Sequence, residues 1–185
     1  MKKLFASVAV LAFVGLFVAC ANAEKKASAT TAVENVAPLQ ASATLVPTEG
    51  NVVHGTVRFI QEAEGIRIVA EVSGFSRAGL HGFHVHEVGD CSAPDAMSAK
   101  GHFNPHGTLH GKAGEGVHHA GDLPSLDADG EGNAKLNALL GGLALTGEHS
   151  IVGRSLIVHA EPDDYTTQPT GNSGARVACA VIQYP

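Results

Sequence analysis

His84 and His86 stand two apart in the run Leu80-His81-Gly82-Phe83-His84-Val85-His86-Glu87. A β-strand turns successive side chains to opposite faces. Both imidazoles would project from one face, and Phe83 and Val85 from the other. Two adjacent imidazoles make a metal clamp, because histidine is the commonest metal ligand and imidazole suits copper and zinc. A half-exposed strand that merely carries two polar rings is the competing reading, and this segment alone does not separate the two. Downstream stand His102, His110, His119 and Asp122, then His159 at the end of the apolar run Leu156-Ile157-Val158. With the clamp these make seven nitrogen or oxygen donors. Two four-coordinate sites need eight. The set closes if one histidine serves both ions through its two ring nitrogens, as an imidazolate between two cations.

The elements that must hold these donors read as strands. Val53, Gly55, Val57 and Phe59 alternate with His54, Thr56 and Arg58. Beyond the turn at Glu64-Gly65, Ile66, Ile68, Ala70 and Val72 alternate with Arg67, Val69 and Glu71. That period of two predicts half-buried strands. Further strands are expected near Phe83 to Glu87, Asn133 to Ala138, Arg154 to His159 and Arg176 to Gln183. None of these cores contains proline, and glycine punctuates their ends. No long helical period is present. The fold class is therefore all-β, of sandwich or barrel type, in one domain that begins near Ser42 and runs to residue 185. Asp90 to Leu126 refuses the strand pattern. It is rich in Gly, Pro and Ser and holds five of the eleven histidines. Loops of that length inside compact domains are functional or disordered, and a loop folded around metal accounts for the histidines.

The amino terminus reads as an export signal. Met1-Lys2-Lys3 is a charged start, Leu4 to Ala19 is apolar but short for a membrane span, and Ala21-Asn22-Ala23 fits a cleavage site before Glu24. An alternative ends the signal at residue 19 and lipidates Cys20, which would be the chain's one attachment to a membrane. Residues 24–41 then read as a flexible leader rich in Ala, Thr and Ser. Either route predicts an exported protein of the periplasm or cell envelope. The whole chain carries 12 basic and 18 acidic residues. Loss of Lys2 and Lys3 leaves ten basic residues and a net charge of −8. Such a surface argues against nucleic acid and anionic membranes as partners. Two cysteines remain beyond the signal, Cys91 and Cys179. In an exported domain they are expected to form a disulfide, the alternative being two buried thiols.

At this point the chain resembles the copper,zinc superoxide dismutases. The resemblance lies in Gly82-Phe83-His84-Val85-His86-Glu87, Gly101-His102-Phe103-Asn104-Pro105, His119-Ala120-Gly121-Asp122-Leu123-Pro124, Gly153-Arg154-Ser155-Leu156-Ile157-Val158-His159 and Gly171-Asn172-Ser173-Gly174-Ala175-Arg176-Val177-Ala178-Cys179, in order, from about Ala43 to the C-terminus. The resemblance implies a Greek-key β-barrel of about eight strands with long metal-binding loops. It implies copper on His84, His86, His102 and His159, and zinc on His102, His110, His119 and Asp122, with His102 as the bridge. It implies a Cys91–Cys179 disulfide, Arg176 as the anion-binding residue, and Asp163 as a carboxylate joining a copper ligand to a zinc ligand. The implied reaction is disproportionation of superoxide, with His102 also carrying a proton. A closed site of three nitrogens and a carboxylate suits structural zinc, and an all-imidazole site suits redox-active copper.

Other residues are read more plainly. His81 is expected to make structural hydrogen bonds, His118 to lie at the surface or behind the ligands, and His54 and His149 at the surface. His106 lies within reach of the zinc-side loop and carries no assigned role. The loop from Ala160 to Ala175 holds no lysine, so Lys100 or Lys112 is expected to steer the superoxide anion. An exported copper and zinc store on the same barrel is the rival function, and a homodimer is possible.

Overall fold

The computed structural model describes residues 37–185. The signal reading, the Cys20 alternative and residues 24–36 of the leader lie outside the described residues. Nine strands make up the fold: β1 (Gln40–Pro47), β2 (His54–Glu62), β3 (Gly65–Ser73), β4 (Gly79–His81), β5 (Phe83–His86), β6 (Leu126–Ala128), β7 (Asn133–Leu140), β8 (Ser155–His159) and β9 (Arg176–Val181). A single 3-10 turn, Met97–Ala99, is the one helical element among the described residues. The first strand starts at Gln40, two residues earlier than the sequence pattern places the domain.

The alternation in β2 and β3 survives intact. Val57 and Phe59 of β2, and Ile66, Ile68, Ala70 and Val72 of β3, are all buried. Each large side chain so buried contributes about 1.5–3 kcal/mol of hydrophobic stabilisation. The clamp strand differs from the half-exposed pattern. In β5 all four residues are buried. Phe83 and Val85 enter the main core, while His84 and His86 are buried on the other side beneath the long loop.

Every pairing between these strands is antiparallel. The order across the sheet is β4-β6-β7-β3-β2-β1-β9-β8-β5. The two ends of that ribbon, β4 and β5, are consecutive in the chain and separated by Gly82 alone. They are halves of one bent strand, so the ribbon closes on itself as a barrel. That accounts for nine strands where about eight are expected. Two connections skip over neighbours, β3 to β4 and β7 to β8, as in a Greek key.

Gly82 makes the bend possible. Its N–H donates to the Glu161 carbonyl at 2.9 Å, and its carbonyl accepts the His159 N–H at 2.8 Å. A Cβ at Gly82 would stand 2.6 Å from Ser173 Oγ and 2.7 Å from Ser173 Cβ. A second tie is covalent. Cys91 in the long loop is bonded to Cys179 in β9, across 88 residues. Closing a loop of that length corresponds to roughly 4–5 kcal/mol of lost chain entropy in the unfolded state. Gly82→Ala is expected to destabilise the protein by about 1–3 kcal/mol, the cost of forcing volume into a packed site, read as a lower midpoint in urea unfolding.

Candidate metal centre

The long loop is held to β5 by backbone pairing. Val85 donates to the Gly121 carbonyl and accepts from Phe103, both at 2.8 Å, and Glu87 donates to Gly101 at 2.8 Å. His84 faces Asp122, and His86 faces His102, as isolated bridges. Gly121 has to be glycine, because a Cβ there would collide with the Val85 carbonyl and the Phe103 nitrogen. On the other side β5 pairs with β8. The β8–β9 register slips between Val158 and His159, which sets His159 opposite Arg176. Such bulges re-aim side chains beside functional sites.

Two clusters result. One atom from each of His84, His86, His102 and His159 lies within 4.8 Å of the others, and the same holds for His102, His110, His119 and Asp122. All seven residues are buried, and His102 belongs to both groups. The donors counted in the sequence are therefore brought together, and His102 is the member common to both groups.

Ring orientations are set by partners on the far nitrogens. His84 Nε2 donates to Asp163 Oδ2 at 2.7 Å. His86 Nδ1 donates to the Lys100 carbonyl at 2.8 Å, and His159 Nδ1 to the Gly174 carbonyl at 3.3 Å. The remaining atoms, His84 Nδ1, His86 Nε2, His159 Nε2 and His102 Nε2, are buried without any hydrogen-bond partner. A buried polar atom left unpaired costs about 1–3 kcal/mol. Four of them in one place, all lone-pair donors, fit a cation that accepts nitrogen ligands.

In the second cluster His102 Nδ1 and His110 Nδ1 lie 2.9 and 3.0 Å from Asp122 Oδ1. His119 Nδ1 is 3.3 Å from His102 Nδ1 and 3.6 Å from Asp122 Oδ1. Donors about 2.0–2.1 Å from a tetrahedral zinc ion stand roughly 3.3 Å apart, so this spacing fits a four-coordinate ion. Asp122 Oδ2 is fixed by the N–H groups of His119 and Gly111 at 2.8 and 3.2 Å.

Asp163 joins the clusters. Besides His84 it accepts from His110 Nε2 at 2.8 Å and from the Tyr165 N–H at 2.7 Å, both through Oδ1. A Cβ on Gly171 would collide with that carboxylate and with the His110 ring. Gln168 clamps the His110 backbone, accepting its N–H at 2.9 Å and donating to its carbonyl at 3.0 Å. Neither Gly171 nor Gln168 is signalled by residue type or spacing.

The electrostatics follow burial. Burial pushes His84 down to about 4 and holds His86 and His159 well below the ordinary histidine value. These rings stay neutral and able to ligate. Burial also lowers His119. For His110 burial acts downward as well, but the carboxylates of Asp122 and Asp163 outweigh it and raise the ring to about 9. Burial would raise Asp122 and Asp163. Hydrogen bonds from His102 and His110 to the first, and from His110 and His84 to the second, hold both well below the usual carboxylate range.

Arg176 is half-buried. Its guanidinium donates to the Ala96 and Lys100 carbonyls, each at 2.5 Å. It lines a cavity of about 700 Å³ with His86 and His159. Neither Lys100 nor Lys112 is among the residues that line it. Lys112 pairs with Glu115 at 2.7 Å on the surface, and Lys100 contributes its carbonyl. The charged side chains lining the cavity are Arg176, Glu49 and Asp95. His81 is buried and donates from Nδ1 to the His159 carbonyl at 3.0 Å. His118 donates to the His119 carbonyl at 2.7 Å. Neither contributes a donor atom to the two clusters.

Residues 53–182 match the family model for copper/zinc superoxide dismutase. The chain belongs to the copper/zinc superoxide dismutase family. It is similar to a copper–zinc superoxide dismutase of Paramecium bursaria Chlorella virus 1, at 40% identity over 161 residues, covering 84% of this chain and 83% of that protein. It is also similar to copper–zinc superoxide dismutase 2 of Aquifex aeolicus, at 39% identity over 150 residues, covering 78% and 87% respectively. Copper and zinc are the cofactors of the family, and the two buried donor sets are chemically suited to them.

Two outcomes are expected. Asp163→Asn leaves one imidazole N–H facing an amide donor or a weaker acceptor. Metal affinity should fall about 10–100-fold, measured by competition with a chromophoric chelator. In metal-free protein His84, His86, His159 and His119 have folded values below 6.5, so their contribution is present above pH 6.5 and is lost as pH falls toward 4. His110 is raised, so its contribution is present below 6.5 and is lost as pH rises toward 9. The thermal midpoint of the chelated protein should therefore peak near pH 6.5 and decline on both sides.

Proposed function

We propose that the protein disproportionates superoxide to dioxygen and hydrogen peroxide, with copper held by His84, His86, His102 and His159 and zinc by His102, His110, His119 and Asp122. The observation that carries this reading is the cavity in which a fixed guanidinium, Arg176, stands beside the unpaired Nε2 atoms of His86 and His159. Copper, when bound, supplies one-electron redox chemistry in both directions, so that two superoxide anions and two protons give dioxygen and hydrogen peroxide. Zinc supplies charge and structure without redox chemistry.

The chain's own residues do the rest. Arg176 binds and orients the anion; its charge persists at any working pH, and two backbone carbonyls keep it at the cavity wall. His102 Nε2 holds a proton between the two half-reactions, while Nδ1 stays among the zinc-side donors. Asp163 keeps His84 and His110 in the tautomers that free their other nitrogens for metal. The acidic protein draws its anionic substrate by this local field rather than by net charge. We further propose export to an oxidising compartment, on the signal-like residues 1–23 and the Cys91–Cys179 disulfide.

A copper and zinc store would need the histidines but no guanidinium in the cavity. Arg176→Ala should lower superoxide consumption by about tenfold or more at low ionic strength, with a flatter salt dependence, while metal content is unchanged. Arg176→Lys should recover part of the rate. Wild-type protein that consumes no superoxide when both metals are loaded would reject the reading.

A further inference from the structure

From its side chains alone, the mouth of the copper-side cavity carries more carboxylate than guanidinium charge. Glu49 and Asp95 line it, both exposed, against one guanidinium. Met97 lines the same space and is 59% exposed. Its N–H donates to Asp95 Oδ1 at 2.9 Å, and the preceding residue, Ala96, supplies a carbonyl to Arg176. Met97 is the only methionine among the described residues, and Cys91 and Cys179 are tied up with each other. Its thioether is thus the one soft sulfur donor available there. Deeper in the same cavity His86 Nε2 and His159 Nε2 are buried and unpaired.

We propose that Met97, flanked by Glu49 and Asp95, is a landing site for Cu(I) on its way to His86 and His159. This rests on the assignment of copper to those histidines. The ligand class follows from softness: thioether sulfur selects Cu(I), while imidazole serves either oxidation state. Buried imidazoles held by carbonyls cannot reach outward to a copper carrier. An exposed, flexible thioether can. Two carboxylates beside it raise the local concentration of a cation. No electron is transferred. A sulfur–copper bond forms as a bond from the carrier breaks, and imidazole nitrogens then displace the sulfur. A lone thioether binds too weakly to keep the ion.

The test uses the full chain with zinc bound and copper absent, mixed rapidly with the Cu(I)–bicinchoninate complex, and follows the loss of that complex's colour. Met97→Leu, which preserves volume, should slow transfer roughly three- to tenfold with unchanged final copper affinity and unchanged uptake of Cu(II). The Glu49→Gln/Asp95→Asn pair should slow transfer at low salt and match wild type at high salt. An unchanged Cu(I) transfer rate in Met97→Leu overturns the landing site alone. A lowered final affinity in that variant also overturns it, because Met97 would then belong to the resting site. Wild-type protein that takes up no Cu(I) overturns the copper assignment and the landing site together.

Discussion

Four imidazole nitrogens aimed at one another, with no protein partner for any of them, are the constraint around which this barrel is arranged. Lone pairs in that arrangement repel, and each has given up its hydration. Hydrophobic burial elsewhere in the barrel offsets the strain, and a cation relieves it. β5 serves both needs at once. Its Phe83 and Val85 are among the most buried apolar groups of the core, while the intervening His84 and His86 carry the ligating atoms on the opposite face. The same four residues thus couple packing to chemistry, and neither can shift without the other.

Orientation is supplied chiefly by backbone. The carbonyls of Lys100 and Gly174 fix His86 and His159, and those of Ala96 and Lys100 fix Arg176. Ala96 and Lys100 both adopt left-handed φ values, 57° and 59°, which are unfavourable for residues with a Cβ. The segment is held in that shape from both ends. Cys91 is bonded to β9, and Ala96 and Ala99 pack with Ile157 and Cys179 in a small second core. One carbonyl, that of Lys100, accepts from a ligand ring and from the anion-binding guanidinium together. The positions of those two groups are therefore correlated through a single oxygen.

Residue types and spacing expose the donors themselves. The two-residue step in β5 and the shortfall of one ligand point to a shared imidazole; the family resemblance picks His119 over His118 and names His102 as the bridge, and the structure places His102 in both clusters. The alternating strands are legible for the same reason, because a face buried against a core imposes a period of two. What stays hidden is whatever depends on main-chain atoms or on distant neighbours. The bend at Gly82 reads as a strand boundary only once Ser173 is known to press against it. The three-residue strands β4 and β6 are too short to show periodicity. Gln168 and Gly171 act on His110 across a fold that brings together residues 58 and 61 positions apart. The carboxylates that line the cavity are not legible either, because Glu49 and Asp95 lie far from the ligands in sequence or carry no distinguishing spacing.

The closure at Gly82 also bears on how the molecule behaves toward its neighbours. An open sheet ends in two rows of unpaired amide and carbonyl groups, a template onto which another chain can add. In this ribbon one terminus continues directly into the other. The outer side of β5 is occupied by the main chain of residues 101–103 and 121–123, and β4 is only three residues long. Strand addition at β5 is therefore blocked, so the segment that grips the ions also closes off an edge on which another chain could grow.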